Sequence, residues 1–204
     1  LTSRLIDRAL RPLFPEDYLC DVQVLVSLIS SDDQVMPDSL ACLAASAALA
    51  VSDIPIQEII SEVRIGRVDG KWIVNPTRDE LVKSDLEFII AATEKNIMMV
   101  EGEAKECQEE DLIKAIEIAY DAIKIQIKAQ AELKDKTGTK SKREYTKPHR
   151  NEELENKINA FCKDKMHAIA AAASAKHERS EAFDALKEEL KTYLGEELPE
   201  EDKP

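Results

Sequence analysis

The sequence predicts an α+β fold, a mixed sheet with helices packed on it, followed by a small all-α unit. Three observations carry that expectation. A run rich in β-branched side chains, Val22–Ile29, passes through the polar turn SSDDQ into an alanine-rich stretch from Asp38 to Ala50. Two further pairs of short apolar runs, joined by an Asp-Gly turn and by TEKN, read as hairpins. A long amphipathic stretch then ends in a basic segment without apolar periodicity, and two more helical stripes follow it.

Taken in order, residues 1–15 predict an amphipathic helix. Leu5, Ile6, Ala9, Leu10 and Leu13 cluster on one side, and Arg4, Arg8 and Arg11 form a stripe opposite. That stripe is either a solvated face on which Asp7 pairs with Arg4 and Arg11, or a set of phosphate contacts, since guanidiniums on one ridge bind polyanions bidentately. Pro12 and Pro15 end the helix. Val22–Ile29 reads as a strand buried on at least one face, and the helix from Asp38 is small on almost every face, so it can lie close against a sheet. The turn 32–39 opens onto that helix's N-terminus, where backbone N–H groups can hold phosphate.

Val63–Arg67 and Trp72–Val74 flank the Asp-Gly turn, and Leu86–Ala92 and Ile97–Glu101 flank TEKN. From Glu109 to Leu133, the residues Leu112, Ile116, Ala119, Ile123 and Ile127 share one helical face. The first domain is therefore expected over 1–134. A mobile basic linker follows over 135–150, the all-α domain over 151–195, and an acidic, disordered tail over 196–204. In the all-α part Leu154, Ile158 and Phe161 mark one stripe and Phe183, Leu186, Leu190 and Tyr193 the other, with Ser174 as N-cap and Gly195 as C-cap between and after them. Such a pair buries little alone and is expected to lean on a neighbour.

Composition bounds the function. A net charge of −13 over 204 residues argues against binding nucleic acid or acidic membrane with the whole surface. The basic segment Lys134–Arg150, with seven Lys or Arg against two acids, can touch RNA or serve as a solvated tether. Cysteines 20, 42, 107 and 162 have neither CxxC nor CxxH spacing, which favours reduced thiols and an intracellular, cytoplasmic setting. No run is long and apolar enough for a membrane span, and no signal peptide is seen, so no membrane partner is expected. The chain starts at Leu1 within a helical pattern and is read as a fragment of something longer.

Candidate chemistry is sparse. P-loop, GxGxxG, GxSxG and HExxH motifs are missing, and His149, His167 and His177 have no ligand spacing. The acids Asp79, Glu80, Asp85 and Glu87 could bind a divalent ion, but solvated acids explain them as well, and no metal ligand or catalytic residue is assigned within the chain.

The phrases TSRLIDRALRPLFP, VQVLVSLISSDDQVMPDSLACLAASAALAVSDIPI and VRIGRVDGKWIVNPTRDELVKSDLEFIIAATEKNIMMVEGEA, running from Leu1 to about Lys134, resemble the first RNase PH-like domain of the polynucleotide phosphorylase family. The later segment with KHER after a helix break is similar, more loosely, to the all-α domain that follows it there. The resemblance implies an RNase PH-like fold and a homotrimeric, phosphorolytic 3′-to-5′ exoribonuclease of mRNA degradation. Its partner is single-stranded RNA, its co-substrate is inorganic phosphate, its metal is Mg²⁺ or Mn²⁺, and its products are nucleoside diphosphates. It also implies that the FFRR loop, a second RNase PH-like domain and further RNA-binding modules lie outside this chain.

Catalytic copies of that fold hold phosphate in GGTRTAS or GSSSMAS; the corresponding turn here is MPDSLAC. Ser39 keeps a hydroxyl, Leu40 stands where a phosphate-binding arginine or serine would be, and Asp38 would repel phosphate. Against a DHLGDMDFK-like acid and lysine set the chain offers LVKSDLEFI, so Leu81 and Ile89 replace an acid and the lysine while Asp85 and Glu87 remain. The resemblance thus implies a noncatalytic copy needing no cofactor of its own, with Arg4, Arg8 and Arg11 on the RNA path. The alternatives are a noncatalytic ring subunit of an exosome-like assembly and a free-standing interaction module.

Overall fold

The computed structural model describes residues 1–138 and 141–195, and the chain divides into two compact units at the Lys147/Pro148 boundary. The expected acidic tail, 196–204, lies outside the described residues. In the first unit α1 (Thr2–Leu10) passes into a 3₁₀ turn over Arg11–Leu13, where Pro12 lacks the N–H that a continuing α-helix would use. The apolar stripe read from the sequence is the buried one: Leu5, Ile6, Ala9, Leu10 and Leu13 are all in the core. α2 (Asp38–Val51) buries Cys42, Ala45, Ser46, Leu49 and Ala50. Those side chains are short, so the helix axis can approach the sheet closely.

The sheet has four strands in the order β2-β1-β3-β4: β1 (Ser61–Val68), β2 (Lys71–Val74), β3 (Leu86–Ala92) and β4 (Ile97–Ala104). Asp69 and Gly70 turn between β1 and β2 with φ of 49° and 74°, the positive pair that a two-residue type I′ hairpin requires. One sheet face, carrying Val63, Ile65, Leu86, Phe88 and Ile90, packs on Ala115, Ala119, Ile123 and Ile127 of α4 (Glu109–Lys136). The other face, with Ile60, Ile89, Ala91 and Met99, packs on α2 and then α1. The first unit is therefore a helix–sheet–helix sandwich.

The structure departs from the sequence reading in five places, the last of them in the second unit. All strand pairings are antiparallel, so the sheet is not mixed. Val22–Ile29 is not a strand: no backbone hydrogen bond joins it to another segment among the described residues, and Leu25 and Ile29 are 90% and 97% exposed. Its β-branched composition suits a pleated surface, but no free sheet edge meets it, and a strand without a ladder partner is not stable. A short helix, α3 (Arg78–Lys83), was not anticipated; the Thr77 side chain accepts the Glu80 N–H while Glu80 accepts the Thr77 N–H, a reciprocal capping box.

The fourth correction concerns the segment after α4, which is fastened rather than free. Lys142 Nζ donates to the Leu49 and Ser52 carbonyls at 3.0 and 2.9 Å, Arg143 pairs with Asp53, and both Tyr145 and Lys147 reach the Asp17 carboxylate. Carbonyls at the end of α2 and two nearby acids supply the counter-charges that sequence distance concealed.

The second unit is an antiparallel pair, α5 (Glu152–Ala171) and α6 (Lys176–Leu194), registered by Phe161 stacked on Tyr193 at 4.3 Å and by Lys165 bonded to Glu189. Asn151 caps α5. The N-cap of α6 is Ala175 and not Ser174: the Glu178 carboxylate reaches back to the Ala175 N–H and replaces a hydroxyl cap. Gly195 is the C-cap, with φ of 54°.

A Cβ on Gly102 would fall on the Glu87 carbonyl oxygen and on Phe88 in the neighbouring strand. Gly102→Ala is expected to lower stability by about 2–3 kcal/mol through forced separation of β3 and β4. Urea unfolding measures it, and a loss below about 0.5 kcal/mol would contradict the close approach.

Candidate functional site

The site that the sequence singles out is the turn before α2. Asp32 shapes its approach, accepting the Gln34 and Val35 N–H groups at 2.8 and 2.7 Å. At the first helical residue, Asp38 turns inward: Oδ1 accepts the Ser39 N–H at 2.9 Å and Oδ2 pairs with the Arg64 guanidinium on β1. Arg64 pairs at its other end with Glu87 on β3. The side chains of Arg64 and Asp38 are 5% and 6% exposed, so this pair lies out of water, whereas Glu87 at 28% is partly solvated.

Ser39 and Leu40 point apart. The Ser39 hydroxyl is buried and donates to the Asn75 side-chain Oδ1 at 3.4 Å, the same oxygen that accepts the Arg64 backbone N–H at 2.9 Å. Leu40 is half-exposed and lines an open groove of about 920 Å³ between α1, α2 and residues 20–30. A phosphate at this helix N-terminus would need donors that Asp38 already occupies, at a position where the Asp38 carboxylate opposes it. The turn is a closed ion network rather than an anion cradle.

The acids beside it are engaged as well. Asp85 receives the Arg67 Nε–H at 2.9 Å, and that hydrogen bond holds its carboxyl below the usual range; Arg67 also pairs with Asp111 at 2.7 Å and lies over Trp72. Glu80 closes its capping box. Ile89, in place of a lysine, is a core residue against α2, and Leu81 is half-buried. Among the described residues no group of three or more His, Cys, Asp or Glu is placed to hold a metal.

The arginine stripe stands on the exposed side of α1. Arg11 bonds Asp7 at 2.6 Å and Arg8 pairs with Glu101 of β4, while Arg4 makes no ion pair among the described residues. Arg11 and Leu40 border the same groove; Arg4 and Arg8 do not.

Sequence reasoning missed Glu62. It is fully buried between β1 and α2, with the Cys42 thiol beside it and no nitrogen or oxygen partner for either carboxylate oxygen among the described residues, and burial followed by the negative charge of Asp38 pushes its carboxyl up to about 7. The available signal was the alternation of Glu62 and Arg64 with Val63 and Ile65, which places two charges on one face of a central strand.

Arg64→Met leaves Asp38 buried without its counter-ion, and the expected loss is about 3–5 kcal/mol in denaturant unfolding. A change under about 1 kcal/mol would mean that the pair does not hold α2.

Two matches to known families were found. The model described as 3′ exoribonuclease family, domain 1 matches residues 1–55, and the one described as 3′ exoribonuclease family, domain 2 matches residues 58–122. Curated relatives named polyribonucleotide nucleotidyltransferase include that of Christiangramia forsetii, 51% identical over 201 residues covering 98% of this chain and 27% of the relative. That of Parabacteroides distasonis is 54% identical over 197 residues, 97% of this chain and 26% of the relative, and that of Bacteroides fragilis is 52% identical over 202 residues, 98% and 28%. The chain spans about a quarter of the length of these relatives. With both domain models matched in order and identity near one half across both units, the chain belongs to the 3′ exoribonuclease (RNase PH) family, alongside the polyribonucleotide nucleotidyltransferases.

Proposed function

We propose that this chain is a noncatalytic scaffold and RNA-path segment of a polynucleotide phosphorylase, an enzyme that shortens RNA from its 3′ end with inorganic phosphate and releases nucleoside diphosphates. The observation that carries the noncatalytic part is the occupation of the α2 N-terminus by Asp38, tied to Arg64. The match to the relatives also extends through α5 and α6, which favours this reading over a ring subunit that ends after α4. A divalent metal, a homotrimeric ring and a cytoplasmic setting belong to the proposal for the whole enzyme. Within this segment the pairing of Asp85 with Arg67 and of Glu87 with Arg64 supports reading the metal as held elsewhere in the enzyme. No helix among the described residues is long and apolar enough to cross a membrane.

The chain alone, given RNA, phosphate and Mg²⁺, is expected to release no nucleoside diphosphate, and Leu40→Ser is expected to leave it inactive because Asp38 still closes the turn. Phosphate-dependent shortening of RNA by the purified chain would refute the noncatalytic assignment.

For RNA, Arg4 has no ion pair among the described residues, and the Arg8 and Arg11 pairs are exposed, so RNA can displace them at small cost. In the full-length enzyme, replacing all three by Ala is expected to flatten the salt dependence of single-stranded RNA binding by up to about three phosphate contacts, with little change in melting temperature. Arg4→Ala alone should account for the largest single share. An unchanged salt slope with a large fall in melting temperature would make the stripe structural.

A further inference from the structure

Glu62 has no role in the proposed function, yet it sits at the centre of the contact between α2 and the sheet. The groups that face it are few. From α2 come Asp38 and the fully buried Cys42 thiol; from its own strand, Arg64; from β3, Glu87, which already shares the Arg64 guanidinium with Asp38. Further out, Arg8 of α1 is matched by Glu101 of β4. From the opposite face α4 meets β1 through apolar side chains, through the uncharged Gln126 and Gln130, and through Asp111, whose charge is taken up by Arg67 near the far end of the strand. None of the three histidines lies in this unit's seam, since all are at or beyond residue 149. One guanidinium therefore answers two carboxylates before Glu62 is counted, and among the described residues neither Glu62 oxygen has a nitrogen or oxygen partner, the weakly polar Cys42 thiol lying beside it.

We infer that Glu62 makes the seam between α2 and the sheet a proton-gated contact, closed while its carboxyl is neutral and opened when that carboxyl ionises, because a third carboxylate would then face a single guanidinium in a dry interface. The sign follows from where the proton is held. The folded chain keeps it up to about pH 7, against an ordinary value of 4.5, so the folded state binds more protons across that window. Stability of the seam falls as pH rises through the window and levels off above it. Burial pushes the Cys42 thiol upward, away from this range, and pushes the Glu62 carboxyl into it.

Cys42 is a built-in reporter, since it is fully buried against Glu62, and Cys20 in the same chain is exposed. Alkylation of the full 204-residue chain, read residue by residue as the ratio of Cys42 to Cys20 labelling, removes the intrinsic pH dependence of thiol chemistry. Between pH 5.5 and 8.5 the ratio is expected to rise about thirtyfold in the native sequence and to stay flat in Glu62→Gln, which keeps the shape but not the ionisation. A ratio that changes less than about threefold in the native sequence, or the same rise in both proteins, overturns the proposal. Hydrogen exchange of α2 amides against α4 amides over the same pH range, on the native sequence alone, keeps the test decisive if Glu62→Gln does not fold. Loss of protection confined to α2 supports the gate, and equal loss in both helices refutes it.

Discussion

The Arg64 guanidinium is the contact on which the first unit depends. α2 is built from alanine and other small residues, so its apolar contacts with the sheet are shallow and similar along its length. Such a helix gains little from one register over another by burial alone. Two charge pairs, to Asp38 on the helix and to Glu87 on β3, tie one point of α2 to two strands at once. The Asn75 side-chain Oδ1, which accepts both the Arg64 backbone N–H and the Ser39 hydroxyl, fixes the same point from the turn after β2. The net Coulomb gain of a buried pair is small once desolvation is counted. What the network supplies is position: it sets where α2 starts and which of its faces meets β1.

The same atoms fill the positions that an added anion would use at the turn. A phosphate site at a helix N-terminus needs free backbone N–H groups and an unpaired cation. Here the first-turn N–H of Ser39 and the nearest guanidinium both belong to Asp38. Leu40 is the substitution that stands out in the sequence, but it faces the groove and takes no part in the closure. The decisive residue is the acid two positions before it, which acts as an internal anion where a catalytic copy would admit an external one.

Much of this was legible in the sequence where local physics decides. The stripe of α1, the Asp-Gly hairpin, the TEKN turn and the buried face of α4 follow from periodicity and turn chemistry, and the structure has them. Val22–Ile29 was misread because strand propensity describes a side chain's fit to a pleated surface and says nothing about whether a ladder partner arrives. α3 escaped notice because six residues with no buried side chain carry no periodic signal; only the Thr77 and Glu80 spacing marks it. At the candidate site, Ser39, Leu40 and Asp38 could be named from the sequence, but Arg64, Glu62 and Asn75 enter through strand pairing and the hairpin return, which no local pattern reports.

Charge counted along the chain is also a poor guide to charge available for a partner. The basic segment 134–150 reads equally as an RNA contact or a solvated tether, yet Lys142 is bound to carbonyls at the end of α2, Arg143 to Asp53, Lys147 to Asp17 and Arg150 to Glu155, and Lys134 too has a partner. A polyanion approaching this segment would have to displace those contacts, including a Lys142 ammonium that is partly desolvated. α1 presents the opposite case. Arg4 is exposed and without an ion pair among the described residues, and the Arg8 and Arg11 pairs are at the surface, where water already weakens them. Among the described residues, then, three arginines held weakly or not at all on one short helix are more open to an outside anion than Lys142, Arg143, Lys147 and Arg150, each of which is already bound within the chain.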